Sequence, residues 1–191
     1  MKRPPLVLTL LLAAACRKAA APPKDEAAVP TRAVAAGAAL VDYDAATGEF
    51  SCLAPGEWRT LEDNSIGPRV MFFGPGDARH PNSVAISIMR YPGDGRIRTP
   101  LDFWNSLKLS DQNPSPLEAR AVNGRTGYAL HYAPTPRPVH GRKAPDLKRE
   151  DVVLIPVNDG FFAISHSAPA ETYERTLPIF EAVVASFRPK S

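Results

Sequence analysis

Cysteine is scarce: Cys16 and Cys52 are the only two in 191 residues, and if the first is modified no disulfide can form within the chain. Long apolar runs are missing too. The stretch from Leu6 to Ala15 is about ten residues, roughly half of what a membrane-crossing helix needs, and nothing later is longer. Charge of one sign is not in excess, with 23 basic residues against 20 acidic ones. Two of the basic residues, Lys2 and Arg3, belong to the opening segment, so the remainder is close to neutral and nucleic acid is not an expected partner. Catalytic signatures are also lacking: there is no H-E-x-x-H, C-x-x-C, G-x-S-x-G or phosphate-loop pattern. The pair Asp42-x-Asp44 is no calcium loop, because Thr47 stands where the sharp-turn glycine belongs and no glutamate closes it. These absences argue against an enzyme, and no cofactor is expected.

What is present begins with an address. Met1-Lys2-Arg3 followed by the apolar Leu6 to Ala15 has the form of a secretory signal, expected over residues 1–15. The run ends Leu12-Ala13-Ala14-Ala15-Cys16, which resembles a bacterial lipobox, although its leucine lies one place earlier than usual. The resemblance implies a lipid-modified Cys16 as mature N-terminus. More than one acyl chain makes such attachment stable where a single chain is marginal. In proteobacterial lipoproteins, a residue other than Asp after the cysteine, here Arg17, implies the outer membrane, with the domain facing the periplasm. Residues 16–39 are rich in Ala, Pro and charge and carry no aromatic side chain, the composition of a tether.

One domain is expected over residues 40–191. Strand patterns run through Gly48 to Leu53, Arg69 to Phe73, Ser83 to Tyr91, Leu117 to Val122, Arg125 to Ala133, Asp151 to Val157 and Phe161 to Ser167. Asn123-Gly124 suits a type I′ hairpin turn. The run Val152 to Val157 is apolar on both faces, so a covered strand is expected, with Pro156 demanding an edge or a bulge. Pro75-Gly76-Asp77 and Pro92-Gly93-Asp94-Gly95 read as turns. A first helix opens on Thr99 as N-cap with Pro100 and Asp102 behind it, presenting Leu101, Trp104 and Leu107. A second covers Glu171 to Phe187 with a stripe of Tyr173, Leu177, Phe180, Val184 and Phe187, and Pro178 predicts a kink or break near Thr176. The fold class is α+β, an antiparallel sheet with helices packed on it.

The segment Tyr43-Asp44, Gly48-x-Phe50-Ser51 and Pro55-x-x-Trp58 resembles the opening of PsbP-like domains. Phe161 to Pro169, followed by a helix closing on Ala185-Ser186-Phe187-Arg188, resembles their last strand and helix. This family includes PsbP and Mog types and envelope lipoproteins of the DcrB and LpqN types. The resemblance implies a PsbP-like sandwich and a non-enzymatic binding or assembly role.

Two candidate sites remain. The segment Pro134 to Arg149 has no helix or strand pattern and carries Arg137, His140, Arg142, Lys143, Lys148 and Arg149, a basic surface for an envelope protein or an anionic cell-surface polymer. Elsewhere, His131, His166 and Asp151 would form a metal or proton-transfer cluster if the strands bring them together, as a small-ligand or metal carrier or sensor would need. With Asn158-Asp159 as the turn, Asp151 falls opposite His166. With Asp159-Gly160 as the turn, His166 faces Val153 instead. Cys52, in Phe50-Ser51-Cys52-Leu53, reads as a buried apolar side chain.

Overall fold

A computed structural model describes residues 38–65, 67–75, 83–110, 112–134 and 148–190. The signal segment, Cys16, the expected tether up to residue 37, His80, Arg137, His140, Arg142 and Lys143 lie outside the described residues, while Ala38, expected in the tether, is buried with the domain core. Among the described residues, no helix is long and apolar enough to cross a membrane.

The strands are β1 (Leu40–Asp44), β2 (Phe50–Pro55), β3 (Arg59–Asp63), β4 (Arg69–Phe73), β5 (Ala85–Tyr91), β6 (Glu118–Val122), β7 (Arg125–Tyr132), β8 (Lys148–Val157), β9 (Gly160–Pro169) and β10 (Arg188–Pro189). The helices are α1 (Pro100–Leu109), between β5 and β6, and α2 (Ala170–Ser186), after β9. Seven strands form one antiparallel sheet in the order β3-β4-β5-β9-β8-β7-β6, and β1, β2 and β10 form a smaller one.

Alternation decides which face each strand buries. On one face of the large sheet Phe72, Ile86, Ile88, Val153, Ile155, Phe162 and Ile164 meet Ile179, Phe180, Val183 and Val184 of α2 and Phe50, Cys52 and Ala54 of β2. On the other face Leu130, Val152, Leu154, Phe161 and Ala163 pack under Phe103, Trp104 and Leu107 of α1. The central strands β8 and β9 are therefore apolar on both sides, as the run Val152 to Ile155 requires. Gly160 has a positive φ of 102° at the tight join between them.

The Asn123-Gly124 turn has positive φ at both residues, 47° and 76°, and pairs Val122 with Arg125, as a type I′ turn demands. Thr99 caps α1 in a reciprocal box, its side chain accepting from the Asp102 backbone N–H while the Asp102 carboxylate accepts from the Thr99 N–H.

Several expectations change. β1 and β3 carry no continuous apolar pattern, yet both form: β3, Arg-Thr-Leu-Glu-Asp, is an exposed, charge-bearing edge paired on one side only. In α1 it is Phe103, not Leu101, that joins Trp104 and Leu107 inward; Leu101 is exposed. α2 runs unbroken through Pro178. Proline there removes the bond to the carbonyl of Glu174, and both residues lie on the exposed side, where water can take that role. Pro156, by contrast, has the edge position expected of it although β8 is an interior strand: it is in register with Phe161 on one side only. The ladder from β8 to β7 ends at Leu154, so at Pro156 the strand has only β9 as neighbour and the missing N–H costs no ladder bond on the other side.

Candidate functional site

The two-residue turn Asn158-Asp159 joins β8 to β9, so Val157 faces Gly160 and Asp151 faces His166. β7 sets His131 opposite Asp151 in turn. The three polar residues thus occupy one rung across three adjacent strands, on the face that α2 covers.

Their chemistry is closed rather than open. His166 is fully buried, its ring stacked on Phe180 at 5.5 Å and tilted against Tyr173 at 5.4 Å. Its Nε2 lies 2.9 Å from Thr176 Oγ1, whose hydroxyl is within bonding distance of the Thr172 carbonyl at 3.0 Å. If Thr176 donates to that carbonyl, it accepts from His166, and the network places a proton on Nε2. Nδ1 then faces Asp151 Oδ2 at 3.8 Å, an electrostatic contact too long for a hydrogen bond. The Tyr173 hydroxyl donates to the same carboxylate oxygen.

Burial pushes the Asp151 carboxyl toward protonation, but contact with His166, the Tyr173 hydroxyl and the nearby charge of His131 outweigh it and hold the group below the usual range. Tyr173 moves the opposite way, raised first by burial and then by its bond to Asp151. Around the rung, Arg149 lies over the Tyr173 ring at 5.3 Å and pairs with Glu174 at 3.5 Å.

This arrangement speaks against the metal cluster and changes the local structure expected at Lys148 and Arg149. Among the described residues no group of three His, Cys, Asp or Glu side chains is placed to hold a metal. His131, Asp151 and His166 share a rung, yet His166 spends Nε2 on Thr176, and His131, paired with Asp151 through β7, is exposed. Lys148 and Arg149, expected in an irregular basic segment, belong to β8, paired with Pro169 and Ala168. Sequence reasoning placed Tyr173 on the helix stripe but not Thr176 in the core, and it missed both as partners of the rung. An i, i+3 Tyr-Thr pair on a helix laid over two strand histidines is the only local signal there was.

Cys52 is buried as expected, with its thiol pushed up to about 12 by burial first and the charge of Asp44 second.

The class of fold is that of PsbP/Mog1-like proteins, an α+β sandwich. No family model matches the chain and no curated protein matches it. Among solved structures it is similar to the Ran-binding protein Mog1p of Saccharomyces cerevisiae, at 9% identity over 79% of this chain and 95% of that one, with a TM-score of 0.52. It is also similar to cyanobacterial PsbP (CyanoP) of Synechocystis, at 17% identity over 79% and 92% of the two chains, TM-score 0.49. A third similar structure is LpqN, involved in cell envelope biogenesis in Mycobacterium tuberculosis, at 15% identity over 80% and 91%, TM-score 0.48.

Proposed function

We propose that this chain is a lipid-anchored cell-envelope protein whose domain binds a partner without transforming it. The observation that carries the reading is the closed rung. The residues best suited to acid–base chemistry, Asp151 and His166, are held by Tyr173, Thr176 and the Phe180 ring beneath α2, so they fasten the helix to the sheet. The lipobox-like Leu12 to Cys16 supplies the address, at the outer membrane facing the periplasm, and the basic Arg137, His140, Arg142 and Lys143 supply a surface for an envelope protein or an anionic polymer. Mog1p, with the same fold, is a Ran-binding protein, and an analogous use for a different, envelope partner is inferred here.

The test has two arms. Intact-mass analysis of the mature chain should show acyl chains on Cys16; an unmodified terminus with protein released from the membrane fraction overturns the address. Crosslinking in intact cells should recover one dominant partner, and replacing Arg137, Arg142 and Lys143 by Ser should reduce its recovery. Undiminished recovery removes the basic segment from the proposal, and a His166-dependent turnover of any substrate would refute the non-enzymatic reading. A second reading, carriage of a small ligand, is favoured by a cationic cleft remote from the rung.

A further inference from the structure

At the opposite end of the sheet from Lys148, where the β8–β9 turn meets the end of the small sheet, a cleft of about 320 Å³ opens. It is lined by Arg90, Arg125, Asn158, Asp159, Phe162 and Lys190, among others. We infer that this cleft binds a small organic phosphate, a reading that deepens the binding role proposed above and rests on it.

The three cations come from three separate parts of the chain. Arg90 is the most constrained: it sits on β5 opposite Phe162, its guanidinium 5.1 Å above that ring, with its side chain only 17% exposed. Its Nη2 donates to the Asp159 carbonyl at 2.7 Å, while the carboxylates of Asp159 and Glu49 stand off at 3.7 and 3.9 Å, beyond hydrogen-bond length. Its Nε is buried without a hydrogen-bond partner among the described residues. Arg125 opens β7, is exposed, and has no ion-pair partner among the described residues. The Asn123-Gly124 turn before it is tied down by the Asn123 side-chain amide, which donates to the Phe187 carbonyl at 3.3 Å. Lys190 follows β10 and pairs with Asp44, an exposed pairing that is weak and exchangeable.

Three cations and one carboxylate, Asp159, line the cleft; Glu49 stands beside Arg90 and Asp44 pairs with Lys190 from outside the lining, which leaves Arg125 as the cation with no carboxylate beside it among the described residues. Guanidinium groups present planar pairs of donors matched to phosphate oxygens, and a partly desolvated one attracts an anion more strongly than a free surface charge does. Donors contributed by β5, β7 and the segment after β10 can serve several oxygens of one phosphate. The volume lies at the lower end for ligand sites, which selects a small molecule or a single headgroup. At the rim, the backbone at Gly160 packs closely against Tyr91 and Gly93.

Phosphate of this kind has two sources, a free metabolite or a lipid headgroup. The test uses the mature chain, residues 16–191, with Cys16→Ser, so that neither the apolar signal segment nor an acyl chain contributes to membrane association. Glycerol 3-phosphate is titrated calorimetrically, with glycerol as the uncharged control, and vesicles of phosphatidylglycerol or phosphatidylcholine are tested by sedimentation. Saturable binding of glycerol 3-phosphate but not glycerol, weakened at least tenfold by Arg125→Gln or Lys190→Gln and unchanged by Arg175→Gln on α2, supports a free ligand. Sedimentation with phosphatidylglycerol alone, lost in the same two variants and kept in Arg175→Gln, supports a headgroup. Binding of neither probe, or equal effects of all three substitutions, overturns the inference. Because these measurements use unanchored protein, they stand or fall separately from the mass and crosslinking results that judge the envelope reading.

Discussion

Replacing Gly160 by alanine should destabilise the domain far more than a methyl group added to any other turn glycine among the described residues. Gly160 has φ of 102°, and a β-carbon there would lie 2.0 Å from the Tyr91 carbonyl oxygen, 2.9 Å from the Gly93 nitrogen and 3.0 Å from the Pro92 carbonyl carbon. All three contacts are with backbone, so no rotamer change relieves them. Alanine at positive φ costs about 1–2 kcal/mol by itself. Relief of the overlap requires the 158–160 turn to lift from the segment after β5, which breaks the charge-assisted bond from Arg90 to Asp159, worth roughly 1.5–3 kcal/mol. The expected loss is therefore about 3–5 kcal/mol, or roughly 10 °C in Tm for a domain of this size. Gly124→Ala is the matched control: its φ is also positive, at 76°, but nothing lies within 4 Å of the added carbon, so only the backbone cost of about 1–2 kcal/mol applies. Urea denaturation of both variants, with equal m values, reads the difference. If the two lose the same stability to within about 0.5 kcal/mol, the close approach contributes nothing.

Three further outcomes are expected. Asp151 is held below the ordinary carboxylate range, so the unfolded chain binds its proton first as pH falls; the stability it contributes is complete above about pH 4, the unfolded value, and lost as pH drops through the folded one. Chemical denaturation from pH 6 to 3 should thus show a shallower fall for Asp151→Asn than for the wild type, and parallel curves would refute the assignment. Thr99→Ala removes the cap of a helix with no fully buried residue and should cost about 1 kcal/mol, seen as faster amide exchange confined to α1; uniform exchange across the sheet would contradict it. Cys52 should resist thiol reagents at pH 8 in the native protein and react once per chain in denaturant, with a second equivalent appearing only if Cys16 carries a free thiol.

Local chemistry made much of this fold readable in advance. Asn-Gly needs positive φ twice, Thr-Pro-x-Asp begins a helix, and a strand apolar on both faces must be covered, so the hairpins, the start of α1 and the central place of β8 follow from a few neighbouring residues. Even the facing of Asp151 and His166 was within reach once the length of one turn was known. β3 was not, because an exposed edge strand has no apolar alternation to betray it. The inward choice of Phe103 over Leu101 was not either, since the depth at which α1 settles depends on Tyr91 and Phe161 from distant strands, which both contact the Phe103 ring.

Short-range chemistry set the propensities that span a few residues: turns, caps, the apolar periods of central strands, and the character of the segment before Cys16. The role of His166 came from the assembled fold, because Thr176 and Tyr173 reach it from a helix laid across the sheet. That fold alone gathered Arg90, Arg125 and Lys190 at one cleft. The reason is physical: dihedral preferences and hydrophobic periods act between neighbours along the chain, whereas a site made of charges far apart in sequence exists only where strand order and register bring them together.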